Sequence, residues 1–570
     1  MDTTLKDCWR AHNATSTAAA AYKNARHPGL SPLEPYQHTL HPDVPFSFDT
    51  LYAHPGPLGR FDPGGVRKRV CVIGAGIAGL TAAYELTQRD HHVTLLEASD
   101  RCGGRICTYH FADGTYGELG AMRIPANHRC TLHYVQAFGL PTRPFVNHNP
   151  AAFYHLRGIK TPIGAWANLL PAFELRAAER ADPLGLYEDV MKAAMTALSS
   201  AEKWAMFTSH MPAGRLHTYD AQSLWQYLCH WLSPEGLEYV GHATGMLQYE
   251  RASLLEVLID YFGLFRVDQV ELVGGMATLP AAFLRHLQCP IHYHARVTRV
   301  RVVDDGLLVE WSSHGRRTVE HFDAAICALP APALARVVFE PSLPSCTAQA
   351  LRGVTYASAA KTLFHCRQRP WEVYDGIYGG GSFTDLPIQQ AWYPSDNSRP
   401  SGPAVWAGFS GDEGEHPTSQ APQHWLSQSA EVSHGPGVLT AAYMWEGNAR
   451  RFLALSPEER TETVLQAVRR LHPQIDGVLD DVVHCAWDEH MNPGYGAFAY
   501  FAPGEHARYQ AALCTPYPAA SPRVFFAGEH LAIAHAWIQG AIQTALTAIV
   551  AVLQAPVLHT RPAAVVRTDG

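Results

Sequence analysis

Residues 69–100 read RVCVIGAGIAGLTAAYELTQRDHHVTLLEASD, and the order of elements they encode decides the fold. Val70–Ile73 is a short apolar run of the kind that forms a buried strand. Gly74-x-Gly76-x-x-Gly79 follows it directly and opens a helical pattern, and a second apolar strand ends at Glu97, eighteen residues beyond Gly79. Each part has a physical job. Gly74 permits a tight turn, Gly76 lets the backbone approach a pyrophosphate, and Gly79 lets helix and strand pack closely. The helix N-terminus offers unpaired N–H groups and partial positive charge to phosphates. Glu97 can accept hydrogen bonds from ribose hydroxyls, and its charge repels a 2′-phosphate. A glycine triplet alone is a weak signal. Strand, turn, helix, strand and terminal acid in register predict a Rossmann-like α/β domain that binds a dinucleotide.

The rest of the chain sets bounds around that unit. At 570 residues, 47% hydrophobic and 17% charged, it is globular and long enough for about four domains on length alone. The formal charge of −8 comes with no basic run, which argues against nucleic acid or an acidic membrane as partner. Twelve cysteines form no Cys-x-x-Cys pair and are read as buried, reduced thiols; no His-Glu-x-x-His occurs, so no metal site is expected. The N-terminus lacks the apolar core of a secretory signal, and Asn13-Ala14-Thr15 is read as a chance sequon. Ala536–Leu553 is the most membrane-like stretch. Gln539, Gln543, Thr544 and Thr547 mark a polar face on it, which favours a buried amphipathic helix over a span. The expectation is a cytoplasmic protein.

Arg101-Cys-Gly-Gly-Arg105 follows Glu97, and two arginines around a glycine pair suit a loop that clamps a diphosphate. With the glycine motif, this segment resembles the FAD-binding N-terminus of the flavin amine oxidase family, which holds monoamine, polyamine and L-amino acid oxidases. The resemblance extends to 268–287, DQVELVGGMATLPAAFLRHL, and to 523–546, RVFFAGEHLAIAHAWIQGAIQTAL. It implies FAD as cofactor, contacted by Gly74, Gly76, Gly79, Glu97 and Arg105. Val297 would meet the adenine through its backbone, and Glu529 would bond the ribityl chain. The two flavin-binding ends lie about 430 residues apart.

Within the family, Glu118-Leu-Gly-Ala-Met122-Arg123-Ile-Pro125 resembles the L-amino acid oxidase version of its motif. An arginine in an apolar segment is costly to bury unless an anion meets it. The resemblance implies that Arg123 grips the substrate α-carboxylate, although an ion pair with Glu118 is the plainer reading. Tyr443, in VLTAAYMWEGNARRF, is the expected second carboxylate contact, with Tyr393 as alternative. Lys361, an ammonium in the apolar run ASAAKTLFHC, matches the family lysine that holds a water near flavin N5; a solvated edge-strand lysine is the alternative. Ala536 would present a carbonyl to the substrate amine, Trp537 an indole to the pocket wall, and Phe498 would line the side-chain pocket.

The implied activity is oxidative deamination of an L-amino acid, with hydride transfer to flavin and release of a 2-oxo acid, ammonia and hydrogen peroxide. An L-amino acid 2-monooxygenase, an amine oxidase and a non-catalytic flavoprotein are the competing readings. L-amino acid and oxygen are the expected partners, and a homo-oligomer (dimer or tetramer) is expected. The motif positions place a discontinuous FAD-binding domain at 66–125, 268–330 and 480–554. They leave 1–65, 126–150 and 331–479 to a mixed-sheet substrate-binding domain and 151–267 to a helical insert. The stretch 395–437 reads as a long surface excursion.

Overall fold

The computed structural model describes residues 66–208, 212–260, 269–401, 424–488, 495–556 and 565–566. The expected N-terminal arm and the sequon at Asn13 lie outside them. Five parallel strands form the first sheet in the order Ile291–His292, His92–Leu96, Arg69–Ile73, Ala324–Cys327 and Val524–Phe526. This is the 3-2-1-4-5 order of a dinucleotide-binding sheet. Val70, Val72, Leu95 and Ile326 are fully buried, as strands covered on both faces must be. Helix Ile77–Thr87 crosses between the first two strands, and the last long helix, Ile538–Gln554, packs against it.

That last helix is buried more completely than an amphipathic reading requires. Gln539 is 2% exposed and accepts from the Thr131 N–H and hydroxyl, while the Thr544 hydroxyl both accepts from Gly528 N–H and donates to its carbonyl. Of the four polar side chains only Thr547 is exposed. The Gln539 carbonyl oxygen and the Thr544 hydroxyl are thus met inside the protein, whereas the buried Gln539 amide nitrogen has no hydrogen-bond partner among the described residues. No helix among the described residues is long and apolar enough to cross a membrane. Among the cysteines, Cys71, Cys130, Cys327 and Cys366 are buried free thiols, whereas Cys346 is disulfide-bonded, unlike the reduced state expected of it.

A second sheet runs Val338–Glu340, Arg296–Val303, Gly306–Ser313, Arg316–Phe322 and Val565–Val566. The third has seven strands, in the order Leu479–Ala486, Ala359–Cys366, Gly437–Trp445, Gln390–Tyr393, Gly380–Thr384, Phe153–Leu156 and Ile159–Pro162. It is mixed, with one parallel pair between Gly380–Thr384 and Phe153–Leu156. The boundaries differ from those read in sequence. The strands at 153–162 and at 479–486 belong to this third sheet rather than to the helical insert or the FAD-binding part. Helix Arg129–Ala137 buries Cys130, Tyr134 and Val135 in the core of the parallel sheet rather than on the substrate side. The helices of the insert then run from Pro183 to Asp260.

The described ends of the 395–437 excursion are anchored. Ser398–Pro400 pairs with Trp425–Ser427, the Arg369 guanidinium forks onto Asp396 at 2.5 and 2.8 Å, and the buried Asn397 amide donates to Glu372 Oε2 at 2.6 Å. Residues 402–423 lie outside the described residues.

Candidate active site

A cavity of about 960 Å³ is lined by residues of the parallel sheet, the seven-stranded sheet and the helical insert. At one end the turn Gly74–Gly76 opens into it. Gly74 has φ +100°, a left-handed conformation that suits glycine. A Cβ at Gly76 would meet nothing within 4 Å, so the backbone is bare toward the cavity, whereas a Cβ at Gly79 would stand 1.8 Å from the Gly74 carbonyl oxygen. Gly79 accordingly lies behind the wall and makes the close helix–strand contact. Glu97 lines the same end; its Oε2 accepts from Ala75 N–H at 2.8 Å and its Oε1 from Ser99 N–H and hydroxyl at 2.8 Å each. Val297 also lines it.

The two flavin-binding ends meet through an ion pair. Arg105 Nη1 donates to Glu529 Oε1 at 2.7 Å and to the Ala497 carbonyl at 3.1 Å. Glu529 also accepts from Ala499 N–H at 3.2 Å and Ala536 N–H at 3.0 Å. Burial would raise the Glu529 carboxyl, but Arg105, His530, His535 and the Ala536 N–H hold it below the usual carboxylate range. Arg105 thus faces the cavity while fixed by Glu529, a bond the sequence reading did not anticipate.

The other end carries the side chains assigned to substrate. Strand register puts Lys361 opposite both Tyr443 and Cys485, and Tyr443 opposite Gln390, so these form one row across the sheet. Ala359–Cys366 is an interior strand buried along its whole length, which removes the edge-strand reading of Lys361. Its Nζ donates to the Gly120 carbonyl at 2.8 Å and the Glu118 carbonyl at 3.2 Å, and sits 4.4 Å from the centre of the Tyr443 ring. Burial pulls the Lys361 ammonium below its ordinary value and pushes the nearby Glu118 carboxyl up.

Arg123 is not held by Glu118, whose carboxylate accepts from the Thr108 hydroxyl and Met276 N–H. Its Nη1 donates to Asn147 Oδ1 at 2.6 Å, and its guanidinium lies 5.3 Å from the Trp392 ring centre and 5.6 Å from that of Phe145. Burial lowers its pKa, while Tyr443, Tyr249 and Asp260 are close enough to raise it. Tyr443 and Arg123 therefore share one environment. Tyr393, the alternative, is buried away from the cavity, with its hydroxyl between Ser382 Oγ and His472 Nε2 at 2.7 and 2.8 Å.

Rings continue the wall from Tyr443 to Trp445 (4.4 Å between centres), Phe498 (5.3 Å) and Tyr249 (6.4 Å). Ala536 lines the cavity at φ +68°, and Trp537 donates its indole N–H to Asp260 Oδ1 at 2.6 Å. Sequence reasoning missed Trp445, Tyr249, Asn147 and Asp260. Trp445 was within reach, because residues two apart on a strand share a face with Tyr443. The others sit on loops or on the helical insert, where no spacing rule points at the cavity.

The residues present fit FAD. An open backbone cradle at Gly76, a carboxylate at the end of the second strand and a helix N-terminus without a side-chain cap meet the needs of an ADP moiety, and the cavity continues unbroken to Lys361 and Tyr443.

Comparison with known proteins agrees. The model of the family of flavin-containing amine oxidoreductases matches residues 77–553, and the chain belongs to that family. It is similar to an L-amino-acid oxidase of Siganus canaliculatus, 31% identical over 492 residues that cover 84% of each chain. A putative L-amino-acid oxidase of Bacillus subtilis is 31% identical over 84% of this chain and 93% of its own length. An L-amino-acid oxidase of Bothrops atrox is 30% identical over 84% of this chain and 88% of its own. Among solved structures, putrescine oxidase bound to putrescine superposes with a TM-score of 0.65 at 20% identity, covering 86% of this chain and 99% of that one. Cyclohexylamine oxidase from Brevibacterium oxydans gives 0.63 at 17% identity, with the same coverage. The fold is that of the flavin amine oxidases, and FAD is the cofactor.

Proposed function

We propose that this flavin-dependent oxidoreductase oxidises L-amino acids to 2-oxo acids, ammonia and hydrogen peroxide. The observation that carries the reading is Arg123, a half-buried guanidinium lining the cavity in electrostatic reach of Tyr443. A cation so placed is best matched by a carboxylate, which a plain amine lacks. The naming of the curated relatives supports the same choice.

In this reading the Arg123 guanidinium and Tyr443 hydroxyl hold the substrate carboxylate, and the Ala536 carbonyl faces the amine. The wall of Trp445, Phe498 and Tyr249 receives the side chain and favours aromatic or large aliphatic substrates. Bound FAD supplies the two-electron acceptor. The chain's own contribution is positioning and exclusion of water. Lys361, fixed by two carbonyls, holds a water at the cavity floor. Overall, the substrate gives up two electrons and two protons from its Cα–H and amine, water replaces the imine nitrogen, and oxygen carries the electrons away as peroxide. The amine must be neutral to react, so activity rises with pH.

The test is a panel of the twenty L-amino acids and simple amines, with peroxide, ammonia and 2-oxo acid measured together. Peroxide with 2-oxo acid is expected. An amide with carbon dioxide in place of peroxide would indicate a monooxygenase, and turnover of amines alone would remove the role of Arg123. Arg123→Ala should raise KM about a hundredfold, the scale of a lost charged anchor, with FAD retained.

A further inference from the structure

Three consecutive residues, of which Ala536 and Trp537 line the cavity, are each gripped by a carboxylate. His535 Nδ1 lies 2.9 Å from Glu256 Oε1 and 3.1 Å from its Oε2. Ala536 N–H donates to Glu529 Oε2, and Trp537 indole N–H donates to Asp260 Oδ1. Two of the three acids, Glu256 and Asp260, sit four residues apart on the helix Leu254–Asp260, a spacing that puts both on one face. Asp260 Oδ2 also accepts from the Tyr249 hydroxyl at 3.2 Å.

The helix is itself held firmly. Ser253 N–H donates to the Phe501 carbonyl at 2.7 Å, His506 Nε2 lies 3.2 Å from Glu256 Oε2, and the Phe501 ring stands edge-on to both His506 and His535 at 4.5 Å. Burial would raise the Glu256 carboxyl, but His535 and His506 hold it down at about 2, so it is a charged group in the protein interior. Between the gripped side chains, Ala536 keeps φ +68°. An alanine holds that left-handed conformation only where its surroundings over-determine it.

We infer that Glu256 and Asp260 are positioning residues, a two-point clamp through which the helical insert holds the 535–537 turn so that Ala536 and Trp537 present their faces to the substrate amine. The clamp rests on the function proposed above for its substrate, but its geometry does not. It works on the amine side of the cavity, whereas Arg123 and Tyr443 work on the carboxylate side, with Asp260 also within electrostatic reach of Arg123. The two sides can therefore be separated by a ligand with a carboxylate and no amine.

The experiment compares wild-type, Glu256→Gln and Asp260→Asn holoenzymes in kcat and KM on the best substrate of the panel. It also measures the Kd of benzoate, read from its perturbation of the visible flavin spectrum, with thermal melts to establish folding. In each variant kcat should fall about tenfold or more, the usual result of a misplaced reacting group. Benzoate should bind Glu256→Gln within about twofold of wild type, and Asp260→Asn no more weakly, since a negative charge near Arg123 is gone. Retention of kcat within about twofold in both variants would overturn the clamp, as would a parallel loss of kcat and benzoate affinity in Glu256→Gln. If Glu256→Gln does not retain FAD, Asp260→Asn decides by the same comparison. A wild-type enzyme that oxidises only amines and ignores benzoate refutes the amino-acid reading instead, and the clamp is then judged by the kcat ratio on that amine.

Discussion

Lys361 and Lys68 are both buried ammonium groups, and they solve the same problem differently. Lys361 meets two carbonyls at the cavity floor. Lys68, 4% exposed, donates to the carbonyls of Val552, Leu553 and Ala555 at 2.5, 3.1 and 2.5 Å, and so caps the C-terminal end of helix Ile538–Gln554. The negative pole of a helix dipole suits a cation there. Burial nonetheless pulls its pKa from 10.5 down to about 8, with Arg523 adding to the effect. Between those two values the unfolded chain holds a proton that the folded chain has released, so the stability Lys68 contributes rises with pH across that window. Comparing wild type with Lys68→Met by denaturant melts from pH 7 to 10.5 should show the difference moving in favour of wild type. The expected change is about 1 kcal/mol once solvent screening is discounted.

At the scale of elements, the phosphate turn is among the tightest joints of the described residues. The helix begins where Gly79 touches the Gly74 carbonyl, and no side chain fits between them. Gly79→Ala should push the helix off the strand, cost about 3 kcal/mol of stability by overpacking, and weaken FAD binding at least about tenfold. Thermal melts and flavin fluorescence titration would check both. Gly76→Ala is different, because its Cβ would enter open space and obstruct only the ligand. Other elements were equally legible. Ser456 caps helix Pro457–Leu471, with its hydroxyl accepting from Glu459 N–H and Glu459 returning a bond to Ser456 N–H, which is what Ser-Pro-Glu-Glu predicts. The polar stripe of Ile538–Gln554 was legible as polar but not as buried, because spacing reveals a face and not what the face meets.

For the whole molecule, FAD would bridge the fold, because residues of both the N-terminal and the C-terminal segments line the cavity that fits it. Arg105 and Glu529, 424 residues apart, form a 2.7 Å ion pair where the N-terminal and C-terminal segments meet at the cavity. A ligand lining both segments binds only the folded chain. Removal of FAD should therefore lower stability by about 4 kcal/mol relative to protein holding FAD at a thousandfold excess over Kd. The melting temperature should climb with added FAD. A melting temperature indifferent to FAD would show that the two segments fold without reference to it.

The sequence by itself determined the dinucleotide fold and the cofactor, and it named a minority of the side chains that line the cavity. Glycines, caps and a strand-end acid act over a few residues, and local chemistry of that kind is written in local order. It also singled out Arg123 and Lys361, because a cation in an apolar run needs a reason. Only the tertiary structure decided that Tyr443 and not Tyr393 faces the cavity, that Arg123 leaves Glu118 to Thr108 and Met276, and that strands at 153–162 join the substrate sheet. It alone brought Glu256 and Asp260 to the turn at 535–537. Those outcomes depend on strand register and on helices meeting across nearly three hundred residues. No periodicity in one segment carries information about which distant carboxylate will stand beside it.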